Sequence, residues 1–166
     1  GVTIDVAAAD YAPWHPGRCA ALSAHGVALG YAGELAPKAL ENLGLPKRSV
    51  ALELNLSALL DVANVVAAAP SVWTFPVAKE DIALVVKSDV AATDVLNVVR
   101  TGAGDLLEDI RLFDVYEGSQ VADGHKSLAF ALRFRAQDRT LAAEEVAVAR
   151  QSGVDAAAKA FGATLR

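Results

Sequence analysis

Alternation at a two-residue period is clearest in SLAFALRFR, residues 127–135. Leu128, Phe130, Leu132 and Phe134 share one face of a strand there, and Ser127, Ala129, Ala131, Arg133 and Arg135 share the other. The first face has a core to join, whereas the second offers small residues followed by two strong hydrogen-bond donors. The same period predicts a strand over IALVV, 82–86, with Ile82, Leu84 and Val86 inward and Asp81, Ala83 and Val85 outward. A further strand is expected near 110–117, with Phe113 and Val115 inward and Asp114 and Tyr116 outward. Ile110 and Leu112 follow the opposite parity, which predicts a bulge or a strand end close by.

Helical spacing through Val95, Leu96 and Val99 predicts a helix over 91–100, stopped by Gly102 and Gly104. A long helix is expected from Leu141 to about Phe161, with Thr140 as its cap, and ATLR reads as a last short strand. The resulting order, β-α-β-β-α-β, predicts an α+β domain of ferredoxin-like type, in which two helices cover one side of a four-stranded antiparallel sheet. Upstream, strands are expected at 2–8, 18–22, 27–35 and 49–56, with one helix from Pro37 to Leu43 closed by Gly44 and Pro46. The pattern changes around 61–76, where an Ala/Val-rich segment ends at Pro70 and SVWTFP follows. We place a domain boundary there, giving units 1–73 and 74–166.

Composition narrows the class. With 54% hydrophobic and 21% charged residues in a chain of 166, a packed core is expected. One cysteine, Cys19, excludes an internal disulfide and makes the cytoplasm the default compartment. Asp61 and Asn64 interrupt the most apolar region, so no membrane partner is expected. The absence of methionine and a strand-like start suggest a piece of a longer chain. The net charge of −5 argues against a general binder of DNA or RNA. Neither half compensates, with 4 basic and 6 acidic residues up to position 73 and 11 basic and 14 acidic beyond it. Any RNA contact must be a focused patch.

The uncovered sheet face supplies such a patch. Ala83, Asp114, Tyr116, Ser127, Arg133 and Arg135 would meet there, and an aromatic ring, an acceptor, a hydroxyl and cations around a small residue suit unstacked bases. The bland alternative is a solvated strand end with a half-buried tyrosine and salt-bridged arginines. His15 beside Cys19 in WHPGRC would suit a Cys/His hydrolase, but HPG reads as a turn and Cys19 as a small core residue. His25 and His125 are turn residues without metal-ligand spacing, and GAG at 102–104 lacks the strand and third glycine of a nucleotide loop.

PVAKEDIALVV, LLEDIRLFDVYEG, GHKSLAFALRFRAQDRTL and FGATLR resemble the ferredoxin-fold anticodon-binding domain that ends the beta chain of bacterial phenylalanyl-tRNA synthetases. APWHPGRCAAL, GYAGELAPKALENLGLP and VALELNLSALL resemble the end of that chain's catalytic-like module, a class II synthetase fold without an active site. The resemblance implies an (αβ)2 enzyme whose alpha chain uses ATP and Mg2+ to activate phenylalanine, while this region holds the anticodon of tRNA(Phe) and packs subunits. It implies no catalytic residue and no cofactor in this piece. Its anticodon contacts map to Ala83, Asp114, Tyr116 and Ser127; Arg133 and Arg135, not among the matched positions, are weaker candidates for phosphate contacts. Two departures from the family pattern stand out: Glu80 replaces an arginine, which would remove a cation near the RNA, and Ala142 takes the usual helix-cap position. The rival reading is a ferredoxin-like module for dimerisation or small-molecule binding without an RNA role.

Overall fold

The computed structural model describes residues 1–63 and 74–166. The chain forms two compact units, 1–70 and 71–166. The expected boundary at residue 73, with the stretch around Pro70 and SVW, lies outside the described residues.

In the first unit, β1 (Asp5–Ala9), β2 (Trp14–Ala24), β3 (Val27–Leu35) and β4 (Val50–Leu54) form an antiparallel sheet in chain order. The turn expected at HPG lies inside β2 instead. The pairing of β2 with β3 shifts between Trp14 and Cys19, and Gly17 takes a left-handed φ of 78°, so the chain bulges there without leaving the sheet. Helix α1 (Pro37–Leu43) begins on a proline, whose missing N–H costs nothing at that position, and closes on left-handed Gly44. The strand expected to reach residue 56 stops at Leu54. Asn55 accepts a hydrogen bond from the Ala58 N–H at 3.0 Å and caps a second helix, α2 (Leu56–Val62). Trp14, Cys19, Leu35 and Leu40 form the small core, and the Trp14 indole donates to the Ala51 carbonyl at 3.1 Å.

The second unit follows the expected order: β5 (Ala78–Lys87), α3 (Ala92–Ala103), β6 (Leu107–Tyr116), β7 (His125–Phe134), α4 (Ala143–Phe161) and β8 (Thr164–Leu165). Its antiparallel sheet runs β6-β7-β5-β8, so β5 and β7 are central. Ile82, Leu84 and Val86 of β5 and Leu128, Phe130, Leu132 and Phe134 of β7 are buried in one core with Val95 and Val99 of α3 and Val146 and Val154 of α4. At roughly 2 kcal/mol per fully buried large apolar side chain, this layer is what holds the unit together.

Three local expectations change. Gly102 does not stop α3, which runs on to Ala103 with Gly104 as its cap. A Cβ on Gly102 would lie 2.6 Å from the Ala156 Cβ and 2.9 Å from the Ser152 carbonyl oxygen, so this glycine lets α3 and α4 pack closely. The α4 cap is Ala142, not Thr140, and its N–H donates to the Glu145 carboxylate at 3.0 Å. Phe113, expected inside, is 53% exposed; Val115 pairs with Leu128 on the helix side as expected, but on the edge strand it stays 48% exposed. The register of β6 against β7 shifts between Leu112 and Asp114, which leaves Phe113 without a cross-strand partner. Its hydrophobic character had no core position to occupy.

Candidate nucleic-acid interface

Pairing places residues of neighbouring strands on one face, so the sheet register fixes what the uncovered side presents. Ala83 of β5 pairs with Ala129 of β7, which pairs with Asp114 of β6. In the adjoining row, Val85 pairs with Ser127 and Ser127 with Tyr116. Ala83, Asp114, Tyr116 and Ser127 therefore occupy two neighbouring rows, on the parity opposite to the buried Leu84, Leu128 and Phe130. The bulge at Phe113 makes this possible. Without that extra residue, the parity of Ile110 and Leu112 would carry Asp114 and Tyr116 to the helix side.

The local chemistry is varied. Asp114 is exposed at the edge strand and Tyr116 is half-buried. Ser127 is 4% exposed, and its hydroxyl has no hydrogen-bond partner among the described residues. Ala83 and Ala129 form a low floor between the acid and the far edge of the sheet.

One residue of this face escaped the sequence reading. The Arg166 N–H donates to the Ala83 carbonyl at 2.9 Å, which extends the pairing of β8 with β5 by one position. The Arg166 guanidinium carbon then stands 5.2 Å from the centre of the Tyr116 ring, within cation–π range. In ATLR the parity of Thr164 and Arg166 was legible, but it has no meaning until β8 is known to pair with β5.

The two candidate arginines at the end of β7, Arg133 within it and Arg135 just past it, lie elsewhere. Arg133 pairs with Lys79 and Asp109, six residues along the strand from Ser127, or roughly 20 Å away at about 3.3 Å per residue. Its side chain is 43% exposed and lies 3.7 Å from the Glu108 carboxylate. Arg135, with a side chain 14% exposed, donates to Glu108 at 3.3 Å and to the Phe75 carbonyl at 2.9 Å. The structure thus brings together Ala83, Asp114, Tyr116 and Ser127, and leaves Arg133 and Arg135 apart from them. Around Arg133, a depression of about 310 Å3 is lined by Lys79, Asp81, Asp109, Arg111 and Ala131, so this end of the face mixes both signs of charge.

Glu80 bears differently on the site than its sequence position suggests. It pairs with Leu132 on the helix side, and its carboxylate lies 3.8 Å from Arg150 of α4. Its charge is directed away from the open face, where Lys79 stands instead. Among the described residues no group of three or more acidic, histidine or cysteine side chains could hold a metal ion. No helix among them is long and apolar enough to cross a membrane.

Comparison with known proteins gives this geometry a context. Residues 74–166 match the family model of the ferredoxin-fold anticodon binding domain, and residues 1–56 match that of the phenylalanyl tRNA synthetase beta chain CLM domain. The phenylalanine–tRNA ligase beta subunit of Streptomyces avermitilis is 53% identical over 170 residues, covering 100% of this chain and 20% of the relative. Those of Corynebacterium glutamicum and Nocardia farcinica are 52% and 53% identical, with the same coverage. The chain spans about one-fifth of the length of these relatives. Two family models matched in order, and half-identity along the whole sequence, make this chain a member of the phenylalanyl-tRNA synthetase beta-chain family, carrying that family's ferredoxin-fold anticodon binding domain.

Proposed function

We propose that residues 74–166 hold the anticodon of tRNA(Phe) on the open face of their sheet. The chain would act within a phenylalanine–tRNA ligase of (αβ)2 composition, in which the alpha chain carries the ATP- and Mg2+-dependent attachment of phenylalanine. This region supplies recognition and subunit packing, and no catalytic group. The cytoplasm is the compartment this function requires.

The observation that carries the reading is the convergence of Ala83, Asp114, Tyr116 and Ser127 on two adjoining rows of a sheet whose other face is sealed by helices. Each has a role that its chemistry allows. Tyr116 offers a ring for a splayed-out base, a contact of about 1–3 kcal/mol. Asp114 accepts from the N–H groups of a guanine edge, which a cytosine or uracil edge cannot match. Ser127 has a free hydroxyl to give to a base or a ribose, and Ala83 lets the nucleotide approach the sheet. Arg133, more exposed than Arg135, is the better phosphate contact; Arg135, held by Glu108 and Phe75, secures the end of β7. A dimerisation face would instead concentrate apolar groups at its centre. Here Asp81, Arg111 and Ala131 share a row in the middle of the sheet.

In the full two-chain enzyme, Tyr116→Ala is expected to raise the KM for tRNA about tenfold or more. Phenylalanine activation, followed by pyrophosphate exchange, should stay at the wild-type rate. Equal loss in both assays would contradict the separation of recognition from chemistry.

A further inference from the structure

The loop between β6 and β7, residues 117–124, bears on the same face. We infer that Gly118 and Gln120 of this loop are positioning residues that build a cationic cap over the Tyr116 ring. In this arrangement Gly118 sets the ring, and Gln120 holds the Arg166 guanidinium above it to meet an RNA phosphate. The inference rests on the proposed anticodon contact.

Arg166 starts from the far edge of the sheet. Its backbone stands beside Ala83 of β5, one position beyond β8, and Tyr116 lies on β6, three strand spacings or roughly 14 Å away. Two long side chains can close that distance only across a low floor, which Ala83 and Ala129 provide between them. At the far end the guanidinium donates through Nη2 to the Gln120 side-chain carbonyl and lies over the ring at 5.2 Å. Arg166 is otherwise exposed, and among the described residues no carboxylate pairs with it. Gln120 orients the guanidinium without neutralising it, and four of its five N–H donors stay available for an anion.

Gly118 acts on the ring itself. A Cβ there would lie 2.6 Å from the Tyr116 hydroxyl oxygen and 2.8 Å from Cζ, closer than such atoms approach. Any side chain at 118 must push the ring off its place under Arg166. Acceptor, cation and aromatic are therefore ordered before RNA arrives, which removes part of the side-chain ordering cost of binding.

The test uses the full two-chain enzyme, with wild type and Tyr116→Ala as references, and unmodified tRNA(Phe) transcript as the probe. Gln120→Ala is expected to raise the KM for tRNA about tenfold or more, the size of one lost hydrogen bond to a charged group, while leaving pyrophosphate exchange and Tm unchanged. Gln120→Glu, which keeps the acceptor but adds the charge that neutralises the guanidinium, should not restore the KM. Gly118→Ala should raise the KM through the ring. Arg166→Gln should lower the slope of log affinity against log salt by about 0.7, the value for one phosphate of a single strand. A wild-type KM in Gln120→Ala alongside a raised KM in Tyr116→Ala would overturn this inference and leave the anticodon reading standing. An unchanged salt slope in Arg166→Gln, or a Gln120→Glu variant with a wild-type KM, would also overturn it. A wild-type KM in Tyr116→Ala would overturn the anticodon reading itself.

Discussion

The two faces of the second sheet are built from the same strands and obey opposite rules. Toward the helices every position of β7 from Leu128 to Phe134 is large, apolar and buried, and a change of shape there is felt through the whole layer. Toward the open side the first positions are Ser127, Ala129 and Ala131, followed by Arg133 at the far end, and the small size of the first three leaves that part of the surface to residues from the sheet edges and the following loop. Stability is concentrated on one side, and recognition is free to vary on the other. On the proposed reading, a shaped floor and a few placed groups, and not a basic surface, would hold RNA on a chain of net negative charge.

Phe130 and Ala129, adjacent in β7, belong to opposite faces and should respond oppositely to substitution. Phe130→Ala is expected to destabilise the unit by about 3–5 kcal/mol, as a large cavity opens under both helices. Ala129→Leu, one position away on the other face, should change stability by less than about 1 kcal/mol. It should nevertheless raise the KM for tRNA, because the larger side chain fills the floor between Asp114 and Arg166. Denaturant unfolding and aminoacylation kinetics on the two variants would read both effects. Comparable destabilisation by both would mean that the open face is packed rather than bare.

A weaker effect sharpens the same contrast from the helix layer. The N–H of Ala142, followed by the Arg139 guanidinium 2.6 Å away, holds the Glu145 carboxyl below its ordinary pKa. A carboxyl depressed in the folded state contributes stability above its unfolded value of about 4.3, and that contribution is lost as the pH falls through the folded value. Glu145→Gln should therefore lower Tm slightly at pH 7, with the difference from wild type shrinking as the pH falls below the unfolded value. The KM for tRNA at pH 7 should not move, since Glu145 belongs to the helix side.

Much of this arrangement could be read from the chain. The alternation of β7 named its two faces, and the clash of parity between Leu112 and Asp114 announced a bulge. The pattern could not say which residue the bulge would leave unpaired, so Phe113 was expected inside. Leu52, Leu54 and Leu56 continue a strand's alternation past the point where Asn55 caps a helix, because a cap is a local hydrogen bond that hydrophobic periodicity does not register. Gly102 looked like a helix stop because its true partner, α4, lies some fifty residues away in sequence. Glu80 seemed to weaken the RNA side until strand parity turned it toward Arg150. Arg166 joins the face only through the pairing of β8 with β5, a tertiary fact that two residues of strand could not announce.

The most direct measurement is a nuclease footprint of the tRNA(Phe) anticodon loop with the full two-chain enzyme, wild type against an Asp114→Ala/Tyr116→Ala double substitution. Wild type should protect the anticodon nucleotides, and the double variant should lose that protection while keeping the protection of the acceptor end. Anticodon protection that persists unchanged in the variant would contradict the placement of the anticodon on this face.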